Sequence, residues 1–315
     1  MKKFIVTVTA YLLLMALLIS GINLLYVANN DKDSLDVKRF DTMPETIDVC
    51  NLGSSHGRSS FYYINHPGIQ SFNFAFTAQS LSYDYRLLAY YQDRLTEGSI
   101  VFIPISYFSF FGIDETELSD FVAKNKRYYP ILPKNYIKEY DFISYLCTVP
   151  FPAVGAGTNM ISVFLKKNKP SDNANTVYTT NAADAAENAS GAYWRHLVNN
   201  RQDENGNLIL QDGEVQAVYD IINLCRSKNA IPILVTTPFL QEYTDYVMQQ
   251  RLDFLPYFYD IVNRISEDTN TPYLDYAFDE RFKNDYSLFK DCDHLNENGA
   301  ILFTDIVLND IKDIT

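Results

Sequence analysis

Strand-like apolar runs alternate with helical segments along most of this chain, and this order limits the possible folds more than any other feature of the sequence. Residues 98–105 and 231–236 contain continuous apolar runs of the kind that form strands covered on both faces. Residues 47–52, 69–73 and 273–276 are shorter strand-like runs. Strands that alternate with helices form a parallel sheet with helices on both faces and ligand sites at the carboxyl ends of the strands. The sequence therefore predicts an α/β fold with a parallel sheet of about five strands.

The segments between these strands carry apolar residues at helical spacing. The last helix is predicted to begin near Asn296, which is a good N-cap residue. The predicted apolar faces comprise Leu81, Tyr85, Leu88 and Leu95; Val215, Val218, Ile222 and Cys225; Tyr257, Ile261 and Ile265; and Ala300, Phe303, Val307 and Ile311.

The first thirty residues form a region of their own. An uninterrupted apolar segment from Phe4 to Val27 is long enough to cross a hydrocarbon core as a helix. A cleaved secretory signal would have a shorter apolar core, and residues 27–29 are a poor cleavage site. We predict a cytoplasmic stub and an uncleaved transmembrane signal anchor in residues 1–30.

Charges on the two sides of this segment predict its orientation. Lys2 and Lys3 precede it, whereas Asp31 and Asp33 follow it. The positive-inside rule then leaves the amino terminus in the cytoplasm and the large remainder outside. The sequence predicts a single-pass protein of the cell membrane with an extracytoplasmic domain.

Residues 31–315 are predicted to form that domain, with an insertion at about residues 106–211. The insertion does not follow the strand–helix alternation: it has helical pieces at 115–126 and 136–146 and then a polar stretch, with a mobile part expected near 170–189. Because ligand sites lie at strand ends, the insertion is either a lid or polymer-binding wall, or a surface elaboration unrelated to substrate.

Net charge and cysteine placement narrow the classes of partner. The net charge of −13 argues against nucleic acid, whose phosphates need a basic surface. Four cysteines would permit two disulfides, but Cys50 lies in a predicted strand and Cys225 in an amphipathic helix, where a lone cysteine packs as a small apolar residue. Cys292 has no Cys-x-x-Cys spacing beside it. Neither a metal nor a cofactor is predicted.

The first predicted strand ends in a turn with the sequence Gly53-Ser54-Ser55-His56. Gly53 permits a tight turn, and a helix is predicted to open at the serine-rich segment from Ser59. A serine on this turn would lie at the carboxyl end of a strand and beside a helix N-terminus, where backbone N–H groups can stabilise an oxyanion.

Two distant stretches together resemble the SGNH (GDSL-like) hydrolase superfamily. The first is Gly53-Ser54-Ser55, and the second is Asp291-x-x-His294 near the other end of the chain. Residues 72–80 resemble the second block of the family, with Ala75 and Ala78 where glycines are usual. The similarity is greatest to a membrane-anchored, cell-surface branch that includes DltD-like and alginate-acetylation-type proteins. The resemblance implies a flavodoxin-like three-layer sandwich.

The resemblance also implies a catalytic triad. Ser55 is the expected nucleophile, His294 the general base and Asp291 the group that orients His294, since a serine hydroxyl needs a base and the base needs a fixed tautomer. The backbone N–H groups of Ser55 and Ala78 are expected to form the oxyanion hole. The third donor of the family, an asparagine after the third strand, is missing here, and Ser106 is a possible substitute.

Several other residues are weighed as candidates near the site. His56, Asn73, Gln79 and Ser106 are possible substrate-binding residues, although a surface position is favoured for His56 because neighbours on a turn generally point apart. Asp293 is ranked behind Asp291, as a supporting or surface group. Nothing in the sequence recommends His66 or His196.

These expectations combine into two functional hypotheses. The first is a membrane-anchored serine acyltransferase or esterase that acts on acyl substituents of a cell-surface polysaccharide or teichoic-acid-like polymer. Its expected partners are the polymer, an acyl donor and a membrane-bound O-acyltransferase. The second is a non-catalytic scaffold of the same fold that binds polymer or an acyltransferase.

Overall fold

The computed structural model describes residues 1–29, 35–158, 160–161, 163 and 178–313. The chain divides into two compact units. The first unit comprises residues 1–43 and 119–174, and the second comprises residues 44–118 and 175–315.

The helices are numbered along the described part of the chain. Short 3₁₀ turns occupy 39–42, 63–65, 92–94, 115–117, 126–128, 134–136, 286–288 and 311–313, and a π-helical turn occupies 194–198. The α-helices are α1 Lys2–Asn29, α2 Leu35–Lys38, α3 Ser55–Ser60, α4 Leu81–Tyr91, α5 Phe121–Asn125, α6 Phe142–Thr148, α7 Pro152–Ala156, α8 Ala182–Tyr193, α9 Asp212–Ser227, α10 Gln241–Gln250, α11 Phe254–Thr269 and α12 Glu297–Asp310.

A five-stranded, all-parallel sheet forms the centre of the second unit, which confirms the predicted α/β class. The strand order is β2-β1-β3-β4-β5, the order of flavodoxin-like sheets. The strands are β1 Ile47–Asn51, β2 Ser71–Asn73, β3 Leu95–Pro104, β4 Ile231–Thr236 and β5 Tyr273–Asp275.

The apolar runs in the sequence correspond to the central strands. Val101, Phe102 and Ile103 of β3 are fully buried, as are Ile233 and Leu234 of β4. Burial on both faces removes the polar alternation that marks a half-exposed strand. For this reason continuous apolar composition located both strands correctly.

Helices cover both faces of the sheet. The chain steps one way from β1 to β2 and the other way through β3, β4 and β5, so right-handed crossovers place α3 on one face and α4 and α9 on the other. In agreement with this topology, α3 packs against α12, and α4 packs against α9. This is the predicted three-layer sandwich.

Most predicted helices are present, with one correction beside the site. Asn296 caps α12 as expected, because its side-chain oxygen accepts a hydrogen bond from the Gly299 N–H at 3.0 Å. The helix expected to open at Ser59 instead begins at Ser55. Gly57 permits this early start: a Cβ there would lie only 2.3 Å from the carbonyl oxygen of Leu52.

The predicted insertion at 106–211 contributes to both units, with residues 119–174 in the first. Of the part expected to be mobile, residues 170–177 lie outside the described residues, and residues 182–189 form the first turns of α8. The predicted helical pieces are shorter than expected: a 3₁₀ turn at 115–117 with α5, and α6 from Phe142.

In the first unit, α1 is a 28-residue helix that is long and apolar enough to cross a membrane. It lies where the sequence predicted a transmembrane segment. Helices α6 and α7 pack against each other, and α7 also packs against α1.

Candidate active site

The turn after β1 carries the predicted nucleophile. Gly53 has φ of +112°, a conformation that favours glycine, and its N–H donates a 2.7 Å hydrogen bond to Asp84 Oδ1. Ser54 is the buried N-cap residue of α3, and Ser55 is the first residue of that helix. As a first helical residue, Ser55 has an N–H with no intrahelical acceptor. Strand β1 thus delivers Ser55 to a helix N-terminus at the carboxyl edge of the sheet.

Two asparagines fasten α3 to the strands beneath it. Asn51 Nδ2 donates to the Gly57 carbonyl at 3.0 Å and to Asn73 Oδ1 at 3.1 Å. Asn73 Nδ2 in turn donates to the carbonyl oxygens of Gly57 and Phe61, at 3.2 Å each. Asn73, a predicted substrate-binding residue, thus uses its amide to hold the turn in place.

A second brace joins the turn to the loop after β2. Gln79 Nε2 donates to Asp84 Oδ1 and, at 3.3 Å, to the Gly53 carbonyl. Gln79 is buried and braces the turn from within. Ala78, next to it, has φ of +53°. This conformation costs a residue with a Cβ about 1–2 kcal/mol, whereas glycine adopts it freely.

Asp84 is a buried carboxyl group beneath this assembly. Its Oδ2 atom has no hydrogen-bond partner among the described residues. Burial raises the pKa of Asp84 to about 7, although the hydrogen bond from the Gly53 N–H and that from Gln79 favour the charged form. The charge of Glu214 adds to the upward shift. Asp84 therefore accepts these hydrogen bonds in either protonation state. Its contribution to the free energy of unfolding depends on pH.

Stability is expected to fall as the pH rises from about 4 to about 7 because of Asp84. In this interval the folded state keeps the proton that the unfolded state releases, so the contribution of Asp84 declines by at most about 1.4 kcal/mol per pH unit. Asp84→Asn keeps the Oδ1 acceptor and is expected to remove this component. Urea unfolding at pH 5 and pH 8, followed by fluorescence of the single tryptophan, Trp194, measures the effect.

Exposed Asp260 on α11 provides the matched control for Asp84. Asp260→Asn is expected to keep the wild-type pH dependence. If the Asp84→Asn protein loses as much stability between pH 5 and pH 8 as the wild type, then Asp84 is not the group that titrates.

The loop before α12 holds the predicted base and its orienting carboxylate. Asp291 Oδ1 accepts hydrogen bonds from the backbone N–H groups of Asp293 and His294, at 3.1 and 2.8 Å. The same carboxylate lies 3.0 and 3.1 Å from Nδ1 of the His294 ring. The structure thus brings Asp291 and His294 together in the arrangement that the Asp-x-x-His spacing predicted. With Nδ1–H donated to Asp291, the lone pair of Nε2 remains available as a base.

His294 lies beside the turn that carries Ser55. Its ring packs edge-on against that of His56, the residue after Ser55, with 4.8 Å between ring centroids. Among the described residues, no hydrogen bond joins the Ser55 hydroxyl to His294. In unliganded enzymes such contacts are often long and tighten only when substrate binds.

His56 is buried at the centre of the site, which corrects the expected surface position. Only 1% of the residue is exposed, and the rings of Phe108 and Phe239 pack against it, each with 5.3 Å between centroids. His56 Nδ1 lies 2.7 Å from Ser106 Oγ, and Nε2 lies 3.0 Å from Asp293 Oδ2. Because an ionised Asp293 only accepts, Nε2 carries the proton and the Ser106 hydroxyl donates to Nδ1.

Asp293 is not a surface group. Its carboxylate is buried beside three histidines, His56, His196 and His294. Its Oδ2 atom also lies 3.4 Å from His294 Nδ1 and 3.7 Å from His196 Nε2. Burial would raise the pKa of Asp293, but the charge of His294 and the hydrogen bond from His56 hold it well below the usual range. The carboxylate is therefore ionised in the interior.

The three histidines respond differently to this charge. Burial lowers the pKa of His56 and brings that of His196 to about 3, so both rings are neutral. Burial would also lower the pKa of His294, but the negative charges of Asp293 and then Asp291 raise it above its ordinary value. His294 is thus the ring of this cluster that readily takes a proton.

The same cluster has the composition of a metal site. Ligand atoms of His56, Asp293 and His294 lie within 4.8 Å of one another. However, the ring nitrogens that face Asp293 already donate hydrogen bonds, His56 to Asp293 and His294 to Asp291. This donor set therefore fits proton sharing better than metal ligation.

Sequence reasoning missed His196, and it ranked His56 and Asp293 as surface or supporting groups. His196 lies on the π-helical turn, with its Nδ1 atom 2.9 Å from the Tyr243 hydroxyl. A usable signal was present in Asp291-Cys292-Asp293-His294, where two carboxylates closely precede one histidine. The Cys292 thiol, between the two aspartates, does not compete with Ser55 as a nucleophile. Burial raises its pKa far above the usual value, so the reactive thiolate does not form.

Comparisons with known proteins provide little further guidance. No family model matches the chain, and no curated protein matches its sequence. Among solved structures, the chain is similar to a crystal structure from Bacteroides fragilis described as a "putative acylhydrolase". The two are 11% identical with a TM-score of 0.41, and the alignment covers 90% of this chain and 99% of the other. A likeness this distant carries no functional weight, so the proposal below rests on the site itself.

Proposed function

We propose that this protein is a serine esterase or O-acyltransferase that forms an acyl-enzyme on Ser55. The observation that carries the proposal is the Asp291–His294 pair, joined at 3.0 Å and placed against the turn that presents Ser55 at the start of α3. A serine, a neutral histidine and an orienting carboxylate are the parts that nucleophilic acyl transfer requires.

The reaction follows from these parts. Ser55 Oγ attacks the acyl carbonyl carbon while its proton moves to His294 Nε2, and the oxyanion is stabilised by the backbone N–H of Ser55 and, as we propose, that of Ala78. The leaving alcohol takes the proton from His294 as the carbon–oxygen bond breaks. An acceptor hydroxyl or water then attacks the acyl-enzyme, passes its proton to His294, and Ser55 recovers it.

Substrate class and location are further parts of the proposal. With α1 in the membrane and residues 31–315 outside the cytoplasm, the acceptor is a cell-surface polysaccharide or teichoic-acid-like polymer. The acyl donor would come from a membrane-bound O-acyltransferase. The resemblance to membrane-anchored SGNH proteins motivates this choice.

Ser106 is a second serine with a histidine partner, and the test of the proposal must separate it from Ser55. Ser106 is 3% exposed and donates to His56, whereas Ser55 is partly exposed at the helix N-terminus. Burial leaves Ser106 without access to a polymer-borne acyl group. We therefore expect Ser55 to carry the acyl group.

Incubation of the full-length protein in lipid nanodiscs with p-nitrophenyl acetate tests this expectation. Intact-mass measurement is expected to show one added acetyl group, and peptide mapping is expected to place it on Ser55. An acetyl group on Ser106 would overturn the assignment of the nucleophile.

A non-catalytic scaffold is the second candidate, and one observation favours it. The Ser55 hydroxyl has no hydrogen bond to His294, and an unactivated serine would react no faster than other surface hydroxyls. Absence of any adduct with p-nitrophenyl acetate or with a fluorophosphonate would support the scaffold.

A further inference from the structure

Helices α6 and α7 form a tight pair with an apolar surface that neither helix covers. A Cβ on Gly155 would lie 2.1 Å from the carbonyl oxygen of Cys147, so the two helices meet backbone to backbone. Phe142, Ile143 and Val154 are 59%, 63% and 53% exposed. Large apolar side chains grouped in this way normally contact another apolar phase.

A hydrogen-bonded amide fastens this pair to α1. Asn23 Nδ2 donates to the Pro150 carbonyl at 2.9 Å, and Asn23 Oδ1 accepts from the Ala153 N–H at 3.0 Å. Phe151, the N-cap residue of α7, has no side-chain cap of its own, so the side chain of Asn23 serves as the cap. The contact therefore gives hydrogen-bond partners both to the Asn23 amide, which lies in an apolar helix, and to the Ala153 N–H at the start of α7.

The position of Asn23 fixes the depth of the pair. Asn23 lies four residues before Val27, the end of the apolar segment, which corresponds to about 6 Å along a helix. An amide at this depth needs protein partners, because the hydrocarbon core offers none. The α6–α7 pair supplies them at the outer boundary of the apolar phase.

Aromatic residues of the pair and its neighbourhood suit the same boundary. The rings of Phe142 and Tyr145 stack, and the ring of Tyr145 lies 6.1 Å from that of Tyr140. Tyrosines are enriched where proteins meet the headgroup region on either side of a membrane.

We propose that the α6–α7 pair is a second membrane contact, which inserts Phe142, Ile143 and Val154 into the outer-leaflet interface beside α1. The partner is the lipid bilayer, and the apolar face of the pair takes the place that an interfacial amphipathic helix would occupy. This inference rests on the membrane placement of α1 in the proposed function.

Depth-dependent quenching in full-length protein tests the contact. An environment-sensitive fluorophore is attached to Ile143→Cys in a Cys147→Ser background, where the three remaining cysteines are buried. Nanodiscs contain lipids brominated near the top of the acyl chain for position 143, and near the end of the acyl chain for position 14, which lies about 20 Å along α1 from Val27. The same probe at Leu14→Cys reports on α1, and at Leu252→Cys, which is 86% exposed in the second unit, it reports on water. We expect several-fold stronger quenching at position 143 than at position 252.

The outcomes separate this inference from the proposed function. Quenching at position 14 with a water-like probe at position 143 overturns the second contact. A probe at 143 that is shielded from water yet unquenched also overturns it, because a protein and not lipid then covers the pair. An unquenched probe at position 14 would show that α1 is not in the membrane. That result would overturn both the second membrane contact and the location given in the proposed function. Acetylation of Ser55 in the same nanodiscs is independent of all three results.

A substitution of Asn23 tests whether its amide holds the α6–α7 pair at the membrane. Asn23→Leu is expected to lower quenching at position 143 to the level at position 252 and to leave position 14 unchanged. Ser20→Leu, an exposed position on the same helix, is the matched control and should change neither signal. Unchanged quenching at 143 in the Asn23→Leu protein would show that Asn23 does not hold the pair at the membrane.

Discussion

Ser55→Ala is expected to lower the turnover of p-nitrophenyl acetate by at least about a thousandfold. Removal of a catalytic serine leaves only the contributions of oxyanion stabilisation and substrate binding, and in serine hydrolases the loss reaches about six orders of magnitude. The variant is also expected to lose fluorophosphonate labelling. Both results are read from purified full-length protein, with steady-state rates and in-gel fluorescence.

Ser54 provides the matched control for this variant. It is the neighbouring residue, it is buried, and its hydroxyl makes no cap hydrogen bond to α3. Ser54→Ala is therefore expected to retain labelling and to keep its rate within about tenfold of the wild type, as for a residue outside the transition state. Full activity in Ser55→Ala, or complete loss in Ser54→Ala alone, would reject Ser55 as the nucleophile.

Asp291→Asn and Asp293→Asn are expected to impair catalysis in different ways. Asp291 fixes the tautomer of His294 through Nδ1, so its replacement is expected to lower the maximal rate by about a thousandfold to ten-thousandfold at every pH. Asp293 acts mainly through charge. Its removal is expected to lower the pKa of His294, because Asp293 contributes the largest of the upward effects on that group.

The pH profile distinguishes the two carboxylates. Catalysis requires neutral His294 and is lost as the pH falls through its pKa. In Asp293→Asn this acidic limb is expected to move to lower pH, whereas in Asp291→Asn the low rate is the dominant change. Rates of p-nitrophenyl acetate hydrolysis from pH 4 to pH 9 give both quantities.

Another histidine–aspartate pair in the same unit provides the control. His66 Nε2 lies 2.8 Å from Asp305 Oδ1, and the pair is partly exposed. Asp305→Asn is expected to leave the rate and the acidic limb unchanged. An acidic limb in Asp293→Asn that coincides with the wild-type limb would show that Asp293 does not control the charge of His294.

How much could be predicted from sequence depended on whether the responsible contacts are local. The predicted bounds of β4 match the observed ones residue for residue, because a strand that is buried on both faces has a continuous apolar sequence. The Asp291–His294 contact was predictable for the same reason: both residues lie on one short loop, three positions apart. Cap residues such as Asn296 are equally local.

The buried half of the site could not be predicted in this way. His56 acquires its role from Ser106 and Asp293, which are 50 and 237 residues distant in sequence. Nothing adjacent to His56 indicates either partner, so its position on a turn favoured the surface. The early start of α3 was missed for a related reason: Gly57 ordinarily disfavours a helix, and only the folded structure shows that the Leu52 carbonyl leaves no room for a Cβ at this position.

The wide separation of Ser55–His56 from the loop at 291–294 has a consequence for biosynthesis. Residues emerging early fold onto β1 and its neighbours, but the base and both carboxylates are synthesised much later, since 237 residues separate His56 from Asp293. Until then His56 lacks the carboxylate that its Nε2 atom requires, and Ser55 has no base. On the function proposed above, a nascent chain therefore carries no activated serine until α12 and the loop before it have docked.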